Sequence, residues 1–199
     1  MPTSETLHTI FNGALDIVSE LPATSVSQDR KEVRWLVRNY TPYVQASLRA
    51  NPWNFAIEYH TLNRSASDPA FRWSYGYDLP NGWLRVLPPT QYGYRDGAPI
   101  PHEIAGNQLL TDWGTADLHA RLVMDRQDPG DWDPLFASLI KARLAAGMAH
   151  SLTHKRAFVD AAKQAVAEAL EVAETVNAFE GSADLTEQHD ILRVRYLTT

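Results

Sequence analysis

His150 and His154 stand four positions apart in the run His150-Ser151-Leu152-Thr153-His154. On a helix that spacing puts two imidazoles on one face, the geometry of a zinc-ligand pair. The glutamate that a metal-assisted hydrolase carries between such histidines is missing and no third ligand is evident, so the pair reads as a junction between helices. Asp128-Pro129-Gly130-Asp131-Trp132-Asp133 gathers three carboxylates around a glycine. A calcium loop would also need alternating oxygen ligands and a distal glutamate. Without them the run reads as a turn leading into a helix cap. Asp112, Asp117 and Asp125 are acids of the kind a glycosidase uses in pairs, but nothing in the sequence pairs them. Gly76, Gly82, Gly93 and Gly97 do not have the strand-loop-helix context of a phosphate-cradling loop. The chain has no cysteine, which excludes disulfides, cysteine zinc sites and thiol catalysis. These residues therefore predict no catalytic centre, no metal and no cofactor.

The elements that would position any site alternate in character along the chain. Leu7, Ile10, Phe11, Ala14, Leu15 and Val18 recur at helical spacing, and predict a first helix over 3–21, capped by Thr3 or Ser4 and stopped by Pro22. Val33, Leu36, Val37, Tyr40, Val44 and Leu48 predict a second helix over 28–50, capped by Ser27 or Asp29 and kinked at Pro42. From 56 to 126 prolines, glycines and aromatics become frequent. Phe71 to Tyr75, Trp83 to Leu87 and Leu118 to Val123 predict the strands of a short antiparallel sheet, with Asn81-Gly82 as a turn between two of them. Asp133-Pro134, a capping residue followed by proline at the first helical position, opens a third helix over 133–151. Phe158, Ala162, Ala165, Ala169 and Ala173 then line a fourth over 156–180.

The expected fold is mainly α with a small β insert. The N- and C-terminal helices would form a four-helix bundle, with the short antiparallel sheet between them and an extended C-terminal tail. Residues 1–182 would make one domain and 183–199 an extension for partner binding. The tail carries Ile191, Leu192, Arg193, Val194, Arg195, Tyr196 and Leu197, an apolar and basic run suited to adding a strand or filling a groove on a neighbour.

Composition narrows the function classes. With 44% hydrophobic and 21% charged residues over 199 positions, the chain can bury roughly 70% of its unfolded surface without staples. Its 18 lysines and arginines are outnumbered by 24 acids, a net charge of -6, which argues against a basic nucleic-acid footprint. No run approaches a membrane span and no signal-peptide pattern opens the chain, so the sequence predicts a protein without a membrane partner. Six tryptophans and eight tyrosines are a large aromatic load. The run of them from Trp53 to Trp83 reads either as a stacking platform for ligands or as core between sheet and bundle.

Three segments taken in order resemble the head-tail adaptor family of tailed bacteriophages, the tail tubular protein A-like proteins. The first is Ile10-Phe11-Asn12-Gly13-Ala14-Leu15, followed by the longer helix and Asn51-Pro52-Trp53-Asn54-Phe55-Ala56. The second is Tyr75-Gly76-Tyr77-Asp78-Leu79-Pro80-Asn81-Gly82-Trp83. The third is Asp133-Pro134-Leu135-Phe136, leading into the alanine-rich stretch from Leu144 to Thr153. Within these, Pro52, Trp53, Asn54, Phe55, Leu79, Pro80, Asp133 and Pro134 are the motif residues, to which the resemblance gives structural roles.

The resemblance implies a non-enzymatic virion protein, assembled in the host cytoplasm and resident in the neck or tail. It would form a dodecameric ring between the portal protein and the tail nozzle or next tail protein. DNA would pass through the ring's channel without specific binding, and the Ile191 to Leu197 tail would grip the portal or a neighbour. The alternative reading is another neck or tail-completion protein, a stopper. A tail-associated hydrolase comes third, since it would require paired carboxylates or a metal.

Overall fold

The computed structural model describes residues 6–94, 97–153 and 156–180. The fold is mixed α+β, with four α-helices and two small antiparallel sheets. The chain divides into two compact units, one formed by the residues up to Ala56 together with Asp125–Glu180, the other holding Ile57–Met124.

The first unit is helical. Helix α1 (Leu7–Ile17) is capped by Thr6, whose Oγ1 accepts from the Thr9 amide at 3.3 Å while the Thr9 hydroxyl oxygen accepts from the Thr6 amide at 2.8 Å. The reciprocal pair satisfies two end donors at once, and so the helix starts at residue 7 and not at 3. It also ends earlier than expected, because Ser19 takes a left-handed backbone (φ 57°) and the Glu20 amide folds back onto the Leu15 carbonyl at 3.0 Å. Pro22 is not what stops it.

Helix α2 (Lys31–Ala50) includes Pro42 and starts at Arg30, not at Ser27 or Asp29. No side chain caps it: Asp29 pairs with Arg34, and the Arg30 guanidinium donates to the Leu21 carbonyl at 2.8 Å. Helix α3 (Pro134–Met148) runs into a wider π turn at Ala149–Thr153, so the α-helix itself stops three residues short of 151. Helix α4 spans Arg156–Glu180.

Within this unit α3 contacts each of the other three helices. Its Phe136, Ala137, Leu139, Ile140, Ala142, Leu144 and Ala145 are all buried. Apolar residues thus surround the axis of α3, as they must in a helix with neighbours on every side. An aromatic chain runs through the same core: Phe11 meets Tyr40 edge-on at 6.0 Å, Tyr40 stacks on Trp132 at 6.1 Å, and Trp132 meets Phe136 at 5.1 Å. Burial, with the Asp128 charge added, pushes the Tyr40 phenol well above its usual range, and its hydroxyl donates to the Gln127 carbonyl at 2.6 Å. Tyr40 is therefore a neutral packing group at any physiological pH.

The second unit holds six strands. One sheet has the order β1 (Ile57–Asn63), β6 (Asp117–Met124), β3 (Trp83–Val86), and the other has β2 (Tyr75–Asp78), β5 (Gln108–Thr111), β4 (His102–Ala105). All pairs are antiparallel. Leu62, Leu118 and Leu122 from the first sheet share a buried cluster with Tyr77 and Leu109 from the second. Two sheets replace the single one expected. Phe71 to Ser74 is not a strand, since Arg72 has a positive φ of 73°. Asn81-Gly82 does form a turn, with Gly82 at φ 82°, but β2 and β3 on either side of it join different sheets. Leu79 explains the separation: its amide bonds to the Asn107 carbonyl at 2.9 Å and its carbonyl accepts from Asn107 Nδ2 at 2.8 Å. Pro80, which follows, has no amide to continue a ladder.

Candidate functional site

The motif residues of the first and third segments converge. Trp53 is 2% exposed; its Nε1 donates to the Ser47 carbonyl at 2.9 Å, and its ring meets Phe136 edge-on at 5.2 Å. Phe55 approaches the same Phe136 ring at 5.0 Å. The short 3-10 turn Asn54–Ala56, closed by the Ala56 amide on the Trp53 carbonyl at 2.9 Å, lets aromatic residues two apart reach one partner. Asp133 caps α3 by accepting from the Leu135 amide at 2.8 Å, and Pro134 follows at the first helical position, where no amide is needed.

Helix α4 closes this cluster. Asn54 donates its amide to Asn177 Oδ1 and its side-chain nitrogen to the Asn177 carbonyl, each at 2.8 Å. Asn177 Nδ2 donates to the Pro52 carbonyl at 3.1 Å. The cleft beside them, lined by Trp53, Asn54, Phe55, Asp133, Ala173 and Asn177, encloses about 60 Å³. Ligand pockets measure about 300–1,000 Å³, so this one is a seam between elements. Asn177 carries half of the arrangement, and sequence reasoning missed it. A lone polar residue near the end of an amphipathic helix has no periodicity to mark it.

A second polar knot ties α2, α3 and α4 together. Arg143 Nη1 donates to Ser47 Oγ at 2.8 Å, Ser47 Oγ donates to the Tyr43 carbonyl at 2.7 Å, and Glu174 accepts from Asn51 Nδ2 at 2.7 Å. Burial pushes the Arg143 guanidinium below its usual range, while the Glu174 charge pulls it back up. Arginine remains charged even so, and the knot fixes three helices in register.

The second motif lies apart from these, in the sheet unit. Leu79 is buried, and Pro80 borders an open depression with His60, Asn63 and Asp78. Asp78 accepts from Ser65 Oγ and, at 3.0 Å, from Gln108 Nε2; both bonds hold its carboxyl below the usual range. The aromatic run from Trp53 to Trp83 divides between two cores, with Trp53 in the helical unit and Tyr75, Tyr77 and Trp83 in the sheet unit.

Several of the acidic groups have structural partners. Asp112 accepts from the Ser74 amide and hydroxyl at 2.9 and 2.8 Å, Asp125 from Gln45 at 2.7 Å, and Asp128 from the Gly130 amide at 2.9 Å. His150 is exposed on the π turn, and His154 lies outside the described residues. Among the described residues no group of three or more histidine and acidic side chains is placed to hold a metal ion, and no helix is long and apolar enough to cross a membrane. Ile191, Leu192, Arg193, Val194, Arg195, Tyr196 and Leu197 also lie outside the described residues.

No protein-family model matches the chain, and no curated protein matches it.

Proposed function

We propose that this chain is a structural adaptor of a tailed phage or prophage-like particle, forming a ring between the portal and the tail. The observation that carries the reading is the meeting of Trp53 and Phe55 with the Phe136 ring, beside a seam that Asn54 and Asp133 also line. Segments some 80 positions apart that resemble one family in sequence order also have a common structural task, which chance likeness of short motifs gives no reason to expect.

In this reading α1 to α4 form a four-helix bundle built from both ends of the sequence, and the two sheets are the elaborated β insert. The seam at Asn54 and Asn177 holds the last helix in place, and residues 183–199 are the segment for partner binding. The remaining partners are twelve copies of the chain in a ring, the tail nozzle or next tail protein, and DNA in transit through a channel that does not bind it. The chain would assemble in the host cytoplasm and reside in the virion neck, without catalysis or cofactor.

The test is co-expression with the portal encoded by the same genome, with and without residues 183–199, followed by electron microscopy. A stacked double ring that is lost on truncation is the expected result. A portal left bare by the full-length chain overturns the adaptor reading in favour of a stopper.

A further inference from the structure

Two exposed helix faces in the helical unit carry opposite charge around exposed apolar residues. On α2 the outward residues Lys31, Arg34 and Arg38 flank Val37, which is 54% exposed. Over the whole of α2, four basic residues (Lys31, Arg34, Arg38, Arg49) face one acid, Glu32. On α4 the sign reverses. From Gln164 to the end of the helix there are four glutamates, Glu168, Glu171, Glu174 and Glu180, and no lysine or arginine. Glu168 and Glu171, at i, i+3 spacing, lie on the side that carries Val172, 49% exposed, and Phe179, 85% exposed, whereas Glu174 is turned toward Asn51.

Within one chain Glu168 and Glu171 repel each other, since like charges three residues apart on a helix are unfavourable. The same stretch of α4 ends on Glu180 at the helix C-terminus, where the macrodipole favours cations, and the last turn has none. Glu174, by contrast, is held at Asn51 and faces the charge of Arg143. Arg38 lies thirteen residues before Asn51, roughly 20 Å along the helix axis.

We propose that the basic face of α2 around Val37 and the acidic face of α4 around Val172 are the two halves of a head-to-tail interface between copies of this chain. The inference rests on the ring reading above and gives it a contact. Each face is unlike itself and complementary to the other, so association is heterologous, the kind that closes into rings. Charges rim the apolar centres, as the anatomy of an interface requires.

The chain has no cysteine, which makes site-directed cross-linking clean. The full-length Val37→Cys, Val172→Cys double variant is concentrated, oxidised and run without reductant. A ladder of multimers is expected from the double variant, a dimer only from the two single variants mixed, and monomer from either single variant alone. Absence of the ladder overturns the pairing. Glu168→Lys with Glu171→Lys, or Arg34→Glu with Arg38→Glu, placed in the cross-linkable background, should each reduce the ladder about tenfold or more, and all four changes together should restore it. All four side chains are exposed, so circular dichroism and melting temperature should match the parent's. Reversal without effect on the ladder, or failure of the fourfold variant to recover, overturns the inference.

The same cross-link read in portal co-assemblies separates the two proposals. Rings seated on the portal without the α2–α4 cross-link overturn this interface and leave the adaptor standing. A ladder from a chain that ignores the portal supports the interface and overturns the adaptor.

Discussion

Asn54 and Asn177, 123 positions apart, exchange two hydrogen bonds of 2.8 Å, each using the backbone of one residue and the side chain of the other. The exchange pins the middle of the last turns of α4 to the segment that follows α2. Replacing Asn177 with alanine removes its Oδ1 acceptor and the bond from Nδ2 to the Pro52 carbonyl, whereas Asn54→Ala removes one bond. Because water can reach the freed groups, the expected losses are about 1–2 kcal/mol for Asn177→Ala and about 1 kcal/mol for Asn54→Ala. Both changes release one geometry, so the double variant should lose less than the sum of the two, as measured by urea unfolding.

Trp53 separates packing from hydrogen bonding. Trp53→Ala deletes a fully buried ring against Phe136 and should cost about 3–5 kcal/mol. Trp53→Phe keeps most of that contact and leaves the Ser47 carbonyl without its indole donor, which predicts about 1–2 kcal/mol. A loss from phenylalanine equal to that from alanine would mean that the indole bond, not the ring, holds the segment.

Gly147 lies in α3, where alanine would ordinarily gain about 1 kcal/mol from helix propensity. Here a Cβ would come within 2.1 Å of Tyr43 Oη and 2.7 Å of the Trp35 ring. Gly147→Ala should therefore lower the melting temperature. Pairing it with Tyr43→Phe, which removes the hydroxyl, should recover part of the loss.

Helices α1, α2 and α4 are legible in the sequence because each has one apolar stripe, while α3, apolar on all sides, is marked by the Asp133-Pro134 start signal. Their ends are less so. Thr6 with Thr9 gives as good a cap as Thr3 or Ser4, and Ser19 entering the left-handed region is a backbone event that no residue type announces. Asn81-Gly82 is a hairpin signal that points to one sheet, and only the bonds between Leu79 and Asn107 reveal that its flanks separate. Strands β1, β4 and β5 are not announced by the sequence, since Glu58, His60, Glu103 and Gln108 dilute their alternation. At the seam, Trp53 and Asp133 were recognised singly, but their common partner Phe136 and the clasp from Asn177 depend on tertiary packing.

Asp78 provides the pH test. Its carboxyl is held below the usual range by hydrogen bonds from Ser65 and Gln108. A folded-state value below the unfolded one contributes stability above the unfolded value, and that contribution is lost as pH falls through the folded one. Asp78→Asn should thus be less stable than the parent at neutral pH and converge with it on the acid side of the ordinary aspartate range. Melting curves from neutral pH down to that range check the direction. The donors are neutral, so added salt, which screens pairs of charges, should leave the difference largely unchanged.

Arg143 tests whether the knot between α2, α3 and α4 is held by charge or by packing. Its guanidinium is half-buried, bonded to Ser47, and kept in its charged form against burial by Glu174. Arg143→Met would keep the aliphatic volume, and the remaining members keep their own partners: Ser47 still donates to Tyr43, and Glu174 still accepts from Asn51. Arg143→Ala leaves the same polar partners but adds a void. If burial of the stem dominates, methionine should cost less than about 1 kcal/mol and alanine about 2 kcal/mol. If the charge dominates, both should cost alike, because Glu174 is then left without its countercharge. The desolvation already opposing the Arg143 charge favours the first outcome, and the difference between the two variants in urea midpoint measures it directly.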